Sequence, residues 1–375
     1  MPGDREKERR TLSDQHGSRS AAPLLEGIVR EGARGQYWVE TPQGVLLCTL
    51  RGRLRKQLLY AHSSSLPGSG LRHKVRRANV KVRDPVAAGD RVRVLPMGGG
   101  QGVIEEILAR ERGAFTRVDV DGPRLAGQVT TVAGLDQVVA VFAARDPAPH
   151  LGLLDRMLVL AEAQSLAAVI CLNKIDLGID PPLLSRLEVY RALGYPVVRT
   201  SASTGEGLDD LRRCLAGRAS ALLGPSGAGK SSLLNALEPG LALRVSEISR
   251  ATGKGRHTTS GTRVVPLAPI DGAGGGYVAD TAGIRAMALA GTAPGRLDWC
   301  FRELRPYLGQ CFHHDCSHRH EPGCAVREAV QAGTLDRVRY ESYCRLYDEG
   351  AGSRGRAWRE LVSSRSVVGE GEFRL

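Results

Sequence analysis

One stretch constrains this chain more than any other. Gly224-Pro225-Ser226-Gly227-Ala228-Gly229-Lys230-Ser231 fits G-x-x-x-x-G-K-[ST], the pattern of a phosphate-binding loop. Ala219 to Leu223 before it has the apolar run of a short strand, and Ser232 to Leu237 after it has a helical pattern. A glycine-rich turn between strand and helix aims backbone N–H groups at phosphate oxygens, and the helix N-terminus adds partial positive charge. On that pattern Gly224 to Gly229 cradle the phosphates, with Ser232 in the same first helical turn. Lys230 reaches the β and γ phosphates and Ser231 ligates Mg²⁺.

Much sequence precedes this loop. A chain of 375 residues is long for one core and implies two or three domains. No apolar run approaches the roughly 20 residues needed to cross a bilayer, and Met1 to Arg19 lacks the apolar stretch of a signal peptide. A cytoplasmic protein with reduced cysteines is expected, so clustered cysteines read as metal ligands. The net charge of +12 is unevenly placed: between Arg51 and Arg93 twelve Lys/Arg stand against Asp84 and Asp90. A block that basic points to a polyanionic partner such as nucleic acid.

Residues 1–22 show no periodicity and read as a disordered arm. Gly27–Arg30, Gln36–Glu40, Val45–Leu50, Asp90–Leu95 and Gly102–Ile107 then read as short strands separated by turns. Five such strands suggest an OB-fold barrel, spanning 23–113, that binds RNA. The basic stretch from His62 to Lys81 falls in a long loop of it. Either Tyr37 or Trp38 can face outward as a stacking platform, because alternation sends the other into the core.

From Val138 strands and helices alternate, as in a doubly wound α/β sheet. Asn173-Lys174-Ile175-Asp176 follows a buried strand pattern and has the N-K-x-D form with which GTPases read guanine. The Asp176 carboxylate can accept from guanine N1–H and the exocyclic amine. Adenine would leave it unpaired. Lys174 lies along the base, Asn173 braces the loop, and Ser201-Ala202-Ser203 matches the accompanying S-A-x element. Past the phosphate loop, Thr258 and Thr259 follow a basic, glycine-rich stretch and read as a switch, with Thr259 toward Mg²⁺. Asp280-Thr281-Ala282-Gly283 has the D-x-x-G form, Asp280 toward Mg²⁺ and the Gly283 N–H toward the γ-phosphate. Usual GTPases run phosphate loop, switch, D-x-x-G, N-K-x-D, S-A-x. Here the last two come first, so the domain, 114–290, is circularly permuted.

Ile284 stands where many GTPases place the glutamine that orients water. His257 is the candidate to replace it; phosphate or RNA contact without a proton role is the other reading of that histidine. With Lys230 and Thr259 it forms the expected catalytic set.

Cys311, Cys316, His318 and Cys324 form C-x4-C-x-H-x5-C, a closed Cys₃His set suited to one structural Zn²⁺. His313, His314 and His320 are alternatives to His318. Leu297 to Leu308, Ala325 to Ala332 and Leu335 to Tyr347 have helical patterns, which makes 291–350 a helical zinc domain followed by a flexible tail.

Barrel, permuted GTPase and zinc domain in that order resemble the RsgA (YjeQ/YloQ) family of ribosome-assembly GTPases. The stretches Gly224–Leu233, Gly255–Thr259, Glu321–Val326 and Leu154-Asp155-Arg156 look like that family's signatures. The resemblance covers roughly 24–348. It implies a GTP hydrolase acting late in maturation of the small (30S) ribosomal subunit, contacting 16S rRNA through barrel and zinc domain and stimulated by the subunit. It also implies a hydrophobic residue at Ile284; a monomer is expected. Ala282 departs from the family's usual proline, and the loop His62–Lys81 is longer than typical. The competing reading is an RNA-binding assembly factor for which GTP is mainly a structural ligand.

Overall fold

The structure, a computed structural model, describes residues 23–33, 35–54, 86–110, 113–119, 127–238, 263–269, 275–280 and 297–351. The expected N-terminal arm, the basic loop His62–Lys81, His257, Thr258, Thr259, Gly283, Ile284 and the tail lie outside these residues, and of Asp280 only the backbone is described.

Five strands close a barrel: β1 (Leu25–Ala33), β2 (Gln36–Thr41), β3 (Gly44–Leu50), β4 (Arg91–Gly98) and β5 (Gln101–Ile107). Their order around it is β1-β2-β3-β5-β4, with β3 and β5 parallel. Alternation places Val29, Tyr37, Val39, Cys48, Val92, Val94 and Ile104 inside. It settles the Tyr37/Trp38 choice: Tyr37 is core and Trp38 is exposed.

A hairpin that the sequence reading did not contain follows, β6 (Gly113–Asp119) with β7 (Gly127–Leu135). Near it the barrel meets the next domain. Asp90 is buried, accepts from the Ala87 N–H at 2.7 Å, and receives a bidentate Arg110 at 2.7 and 2.8 Å. Tyr277 donates its hydroxyl to the Gly134 carbonyl at 2.7 Å.

The central sheet has six strands, from β8 (Gln137–Ala143), β9 (Ala167–Asn173), β10 (Val197–Arg199), β11 (Ala219–Leu223), β12 (Arg263–Pro266) and β13 (Tyr277–Asp280). Their order is β10-β9-β8-β11-β13-β12, all parallel except β12 against β13. Counted from β11 as the first strand, the order reads 2-3-1-4-5-6. The permutation therefore leaves a doubly wound sheet intact and only moves the chain break to between β13 and β8.

Helices α1 (Leu151–Ala163) and α2 (Pro181–Ala192) cover one face, α3 (Leu208–Leu215) and α4 (Lys230–Leu237) the other. The His150 Nδ1 caps α1 by accepting from the Leu153 N–H at 3.1 Å. Leu154, Met157, Leu158 and Ala161 then bury against β8 and β9. The winding changes side between β8 and β11, so their C-terminal ends open a crevice, where such sheets hold ligands.

The C-terminal unit holds a 3₁₀ helix (Arg302–Tyr307), α5 (Ala325–Gln331) and α6 (Arg337–Ala351). The regular helix expected over Leu297–Leu308 is not formed. Four turn residues precede a single tight segment interrupted by Pro306, which has no N–H to donate. This unit shares one core with the α1/α2 face: Phe301, Leu304, Val326, Tyr343 and Leu346 pack continuously with Leu154, Leu158 and Leu187.

Candidate functional sites

The phosphate loop leaves β11 and enters α4 at Lys230. Gly229 has φ of 88°, and a Cβ there would lie 2.3 Å from the Asn173 Nδ2. Only glycine satisfies both the left-handed backbone and that approach. The Lys230 Nζ donates to the Gly224 and Pro225 carbonyls at 2.8 and 2.9 Å, curled over its own loop.

Asn173 ends β9 fully buried. Its Nδ2 donates to the Ala228 carbonyl at 3.0 Å, and its Oδ1 accepts from the Ala202 N–H and the Thr200 hydroxyl, each at 3.3 Å. One side chain thus ties the phosphate loop to the S-A-x loop. Thr200 was not among the residues singled out from sequence; its position just before Ser201 was the available signal. Lys174 is left-handed, with φ of 61°, and its ammonium donates to the Asp146 carbonyl.

Asp176 is exposed, and its Oδ1 accepts from the Ser201 hydroxyl at 2.6 Å. Ser201 in turn accepts from the Thr204 N–H at 3.2 Å. The Ser201 hydrogen bond leads the effects that hold the Asp176 carboxyl below its ordinary pKa, so it is an ionised acceptor at neutral pH. Gly224 to Ser232, Asn173 to Asp176 and Ser201-Ala202 therefore gather at the C-terminal ends of β11, β9 and β10. The backbone of Asp280 joins them, since β13 pairs Asp280 with Leu222.

The second cluster lies in the C-terminal unit. The donor atoms of Cys311, Cys316, His318 and Cys324 all lie within 4.8 Å of one another. His318 is buried, with its Nδ1 at 3.4 Å from the Cys311 Sγ and 3.6 Å from the Cys324 Sγ. His313, His314 and His320 are outside this group. Three thiols and one imidazole at this closeness suit a tetrahedral Zn²⁺ with no open position. Burial pushes the Cys316 thiol up to about 12, so metal loading must displace its proton.

Two carboxylates organise this cluster, Asp298, which carried no sequence signal, and Glu321, whose role the sequence did not give. Asp298 lies 3.7 Å from the His318 Nε2, the geometry by which a carboxylate orients a ligating imidazole. Glu321 organises the turn between ligands. It accepts from the Ser317 N–H at 2.9 Å and hydroxyl at 2.5 Å, and from the N–H groups of Arg319 and His320 at 3.1 and 3.2 Å. Burial opposes its charge, but these donors win and its pKa falls well below the carboxylate range. Glu321→Gln turns one acceptor into a donor facing N–H groups. It is expected to weaken Zn²⁺ binding by about 10- to 100-fold, read by competition with a chromophoric chelator; unchanged affinity would show that the turn holds its shape without the carboxylate.

Helix α6 joins this cluster to the α1/α2 face. Tyr340 and Tyr343 donate to the carbonyls of His318 and Ser317, each at 2.8 Å. Arg339, on the same turn, is fully buried and pairs with Asp155 of α1 and with Glu303, at 2.5 Å to the latter. Asp155 also accepts from the Tyr190 hydroxyl of α2 at 2.7 Å. Arg186 and Asp336 form a bidentate pair at 2.8 and 2.9 Å, and Glu162 receives Arg302 and Arg305 at 2.7 and 2.6 Å. No helix among the described residues is long and apolar enough to cross a membrane.

Comparison with known proteins places these features among relatives. A family model described as RsgA GTPase matches residues 112–290. The small ribosomal subunit biogenesis GTPase RsgA of Gemmatimonas aurantiaca is 42% identical over 333 residues, covering 86% of this chain and 96% of that protein. Its counterpart from Moorella thermoacetica is 40% identical over 319 residues, covering 85% and 95%. Among solved structures, YjeQ from Thermotoga maritima has a TM-score of 0.66 at 33% identity, covering 88% of this chain and 100% of that one. YloQ, described as a circularly permuted GTPase, has a TM-score of 0.60 at 26% identity, covering 88% and 96%.

Proposed function

This chain belongs to the RsgA family of small ribosomal subunit biogenesis GTPases, and on that premise we propose that it binds the 30S subunit and hydrolyses GTP there during late assembly. The observation that carries the reading is the Asn173 side chain, which bridges Ala228 of the phosphate loop and Ala202 of the S-A-x loop. A base-reading loop and a phosphate loop locked by one buried amide can hold a nucleotide at both ends in a fixed register.

In this reading Asp176 selects guanine, and Lys174 and Asn173 support the base loop. Gly224 to Gly229 and Ser232 cradle the phosphates, which Lys230 clasps. Ser231, Thr259 and Asp280 would hold Mg²⁺, which when bound neutralises phosphate charge. Gly283 and Thr258 sense the γ-phosphate, and His257 orients the attacking water with Thr259. Cys311, Cys316, His318 and Cys324 would hold one Zn²⁺ as a structural ion. The division follows as barrel 23–113, GTPase domain 114–290 and zinc domain 291–350, the barrel and zinc domain contacting 16S rRNA while the protein acts as a cytoplasmic monomer.

The test is GTP hydrolysis with purified 30S, 50S and 70S particles. Slow intrinsic turnover with strong stimulation by 30S is expected; stimulation by 50S alone would overturn the assignment. Lys230→Ala removes the phosphate clasp and is expected to lower the stimulated rate by about 10²- to 10³-fold, the usual cost of one charge-stabilising group. It should also leave the variant stranded on the subunit. A variant that hydrolyses poorly but leaves the particle normally would favour the reading of GTP as a structural ligand.

A further inference from the structure

The zinc domain exposes aromatic surface that neither the metal nor the core uses. Phe312 follows the ligand Cys311 and is 82% exposed. Trp299 follows Asp298, the partner of His318, and is 51% exposed. The chain contains only 5 Phe and 3 Trp, so two rings left in water within one small domain are a large share. Among the described residues the exposed Phe and Trp side chains are these two and Trp38 of the barrel. All three lie outside the GTPase sheet, on the two units that flank it.

A single exposed apolar residue is ordinary. What sets Phe312 apart is how firmly it is held there. Its N–H donates to the Gly323 carbonyl at 2.9 Å, and its neighbours Cys311 and Cys324 belong to the ligand group. Gly323 has φ of 63°, and a Cβ at that position would come 3.0 Å from the Phe312 Cβ. The turn thus fixes the backbone at residue 312 and leaves the phenyl ring it carries unburied. The His313 ring meets Phe312 in a T-shaped contact, with centroids 5.0 Å apart, and Phe312 remains 82% exposed beside it. Trp299 is held similarly from one side. The Arg305 guanidinium lies 5.1 Å over its ring, and Arg305 Nε donates to the Trp299 carbonyl at 2.8 Å.

The chemistry around these rings selects the occupant. His313, His314, Arg319 and His320 lie in the same stretch as Phe312, the Arg319 guanidinium pairing with Asp348 at 2.7 Å and lying over Tyr347, and Glu321 is engaged within its own turn. A pre-positioned ring among cationic and histidine donors suits a flat, electron-rich group attached to phosphate. We propose that Phe312, with Trp299 in the same domain, stacks unpaired RNA bases, and that the zinc cluster serves to hold the Phe312 ring rigid for that contact. This rests on the chain being a 30S-binding factor. Base stacking on an aromatic ring is tolerant of sequence and contributes substantially per base, so it suits a contact with an rRNA loop or bulge whose bases are splayed out.

The test uses the full chain, Phe312→Leu, Phe312→Ala and Phe312→Trp, with Val338→Ala as an exposed apolar control on α6. Zinc content by metal analysis shows that each variant keeps its domain. Equilibrium binding to purified 30S particles is expected to weaken by about 5- to 150-fold for Phe312→Leu and Phe312→Ala. Phe312→Trp should bind like the wild type, because a larger ring still stacks, whereas leucine keeps hydrophobicity but has no π-face. Chemical probing of the complex should show at least one unpaired nucleotide protected by the wild type and Phe312→Trp and left reactive by Phe312→Leu. Binding by all four variants equal to the wild type overturns the inference alone. Loss of binding with no change in any base's reactivity assigns the ring to a ribosomal protein and overturns it too. A wild-type chain that binds no 30S particle strikes the functional reading itself.

Discussion

Asp176→Asn is expected to lower affinity for GTP on the order of 10³- to 10⁴-fold and to raise affinity for xanthosine triphosphate. The argument starts from the carboxylate as the structure presents it. Asp176 is exposed toward the crevice, ionised, and steadied at Oδ1 by the Ser201 hydroxyl. Two acceptor oxygens match the two donors on the guanine edge. Asparagine keeps one acceptor and places an N–H₂ against the exocyclic amine, so two donors face each other with nothing between them. A site built around specific hydrogen bonds rejects an analogue that leaves them unpaired by about 10⁴-fold, and asparagine, which keeps one of the two, costs up to that much. Xanthine carries an oxygen where guanine has the amine, and the new amide can donate to it. Titration calorimetry with both nucleotides reads the effect. Unchanged GTP affinity would mean that residue 176 does not read the base, and the guanine assignment would fall with it.

Arg339→Met is expected to destabilise the C-terminal unit by about 3–5 kcal/mol, the cost of leaving buried carboxylates without their cation. Burial opposes the Arg339 charge, but Glu303 and Asp155 more than offset it and raise its pKa, so the guanidinium stays ionised throughout the accessible pH range. Its planar fork also lies 4.7 Å over Phe301 and 5.3 Å over Tyr190, contacts methionine reproduces only in part. The exposed pairs Arg156–Glu349, between α1 and α6, and Arg337–Glu341, within α6, are each worth about 0–1 kcal/mol and do not decide the docking. Combining Arg339→Met with Asp155→Asn and Glu303→Gln removes the stranded charges and should recover part of the loss. Urea unfolding followed by circular dichroism, with proteolysis to locate the loosened segment, checks both outcomes. A shift of Arg339→Met below about 1 kcal/mol would show that apolar packing alone sets the interface.

These two residues mark opposite ends of what could be read in advance. Asp176 was legible because Asn173 to Asp176 is contiguous and follows a strand-like run. Its motif is written in four contiguous residues and one backbone turn. The Cys₃His spacing was legible for the same reason, although choosing His318 over His313, His314 and His320 required the fold. Arg339 carried no signal at all. A lone arginine in an amphipathic helix ordinarily faces water, and its partners are 36 and 184 residues away in sequence. The β6–β7 hairpin carried no clear strand signal, because its register is set only by the pairing of Gly113–Asp119 with Gly127–Leu135. The helix expected over Leu297–Leu308 gave way to a 3₁₀ turn at Pro306, where tertiary packing fixed Phe301 and Leu304 in the shared core.

By itself, then, the order of residues determined the nucleotide-binding motifs, their permuted order and the three cysteine donors of the metal set. Each of these is written in short contiguous runs whose backbone geometry follows from glycine, strand and helix preferences close at hand. Only the tertiary structure decided that the metal unit packs against α1 and α2 as one core, and that α6 carries both the clamp on the metal turn and the cation for Asp155. The physical reason is that many Arg–carboxylate pairings are nearly equal in water. Burial makes one of them costly to break, and burial depends on the whole chain.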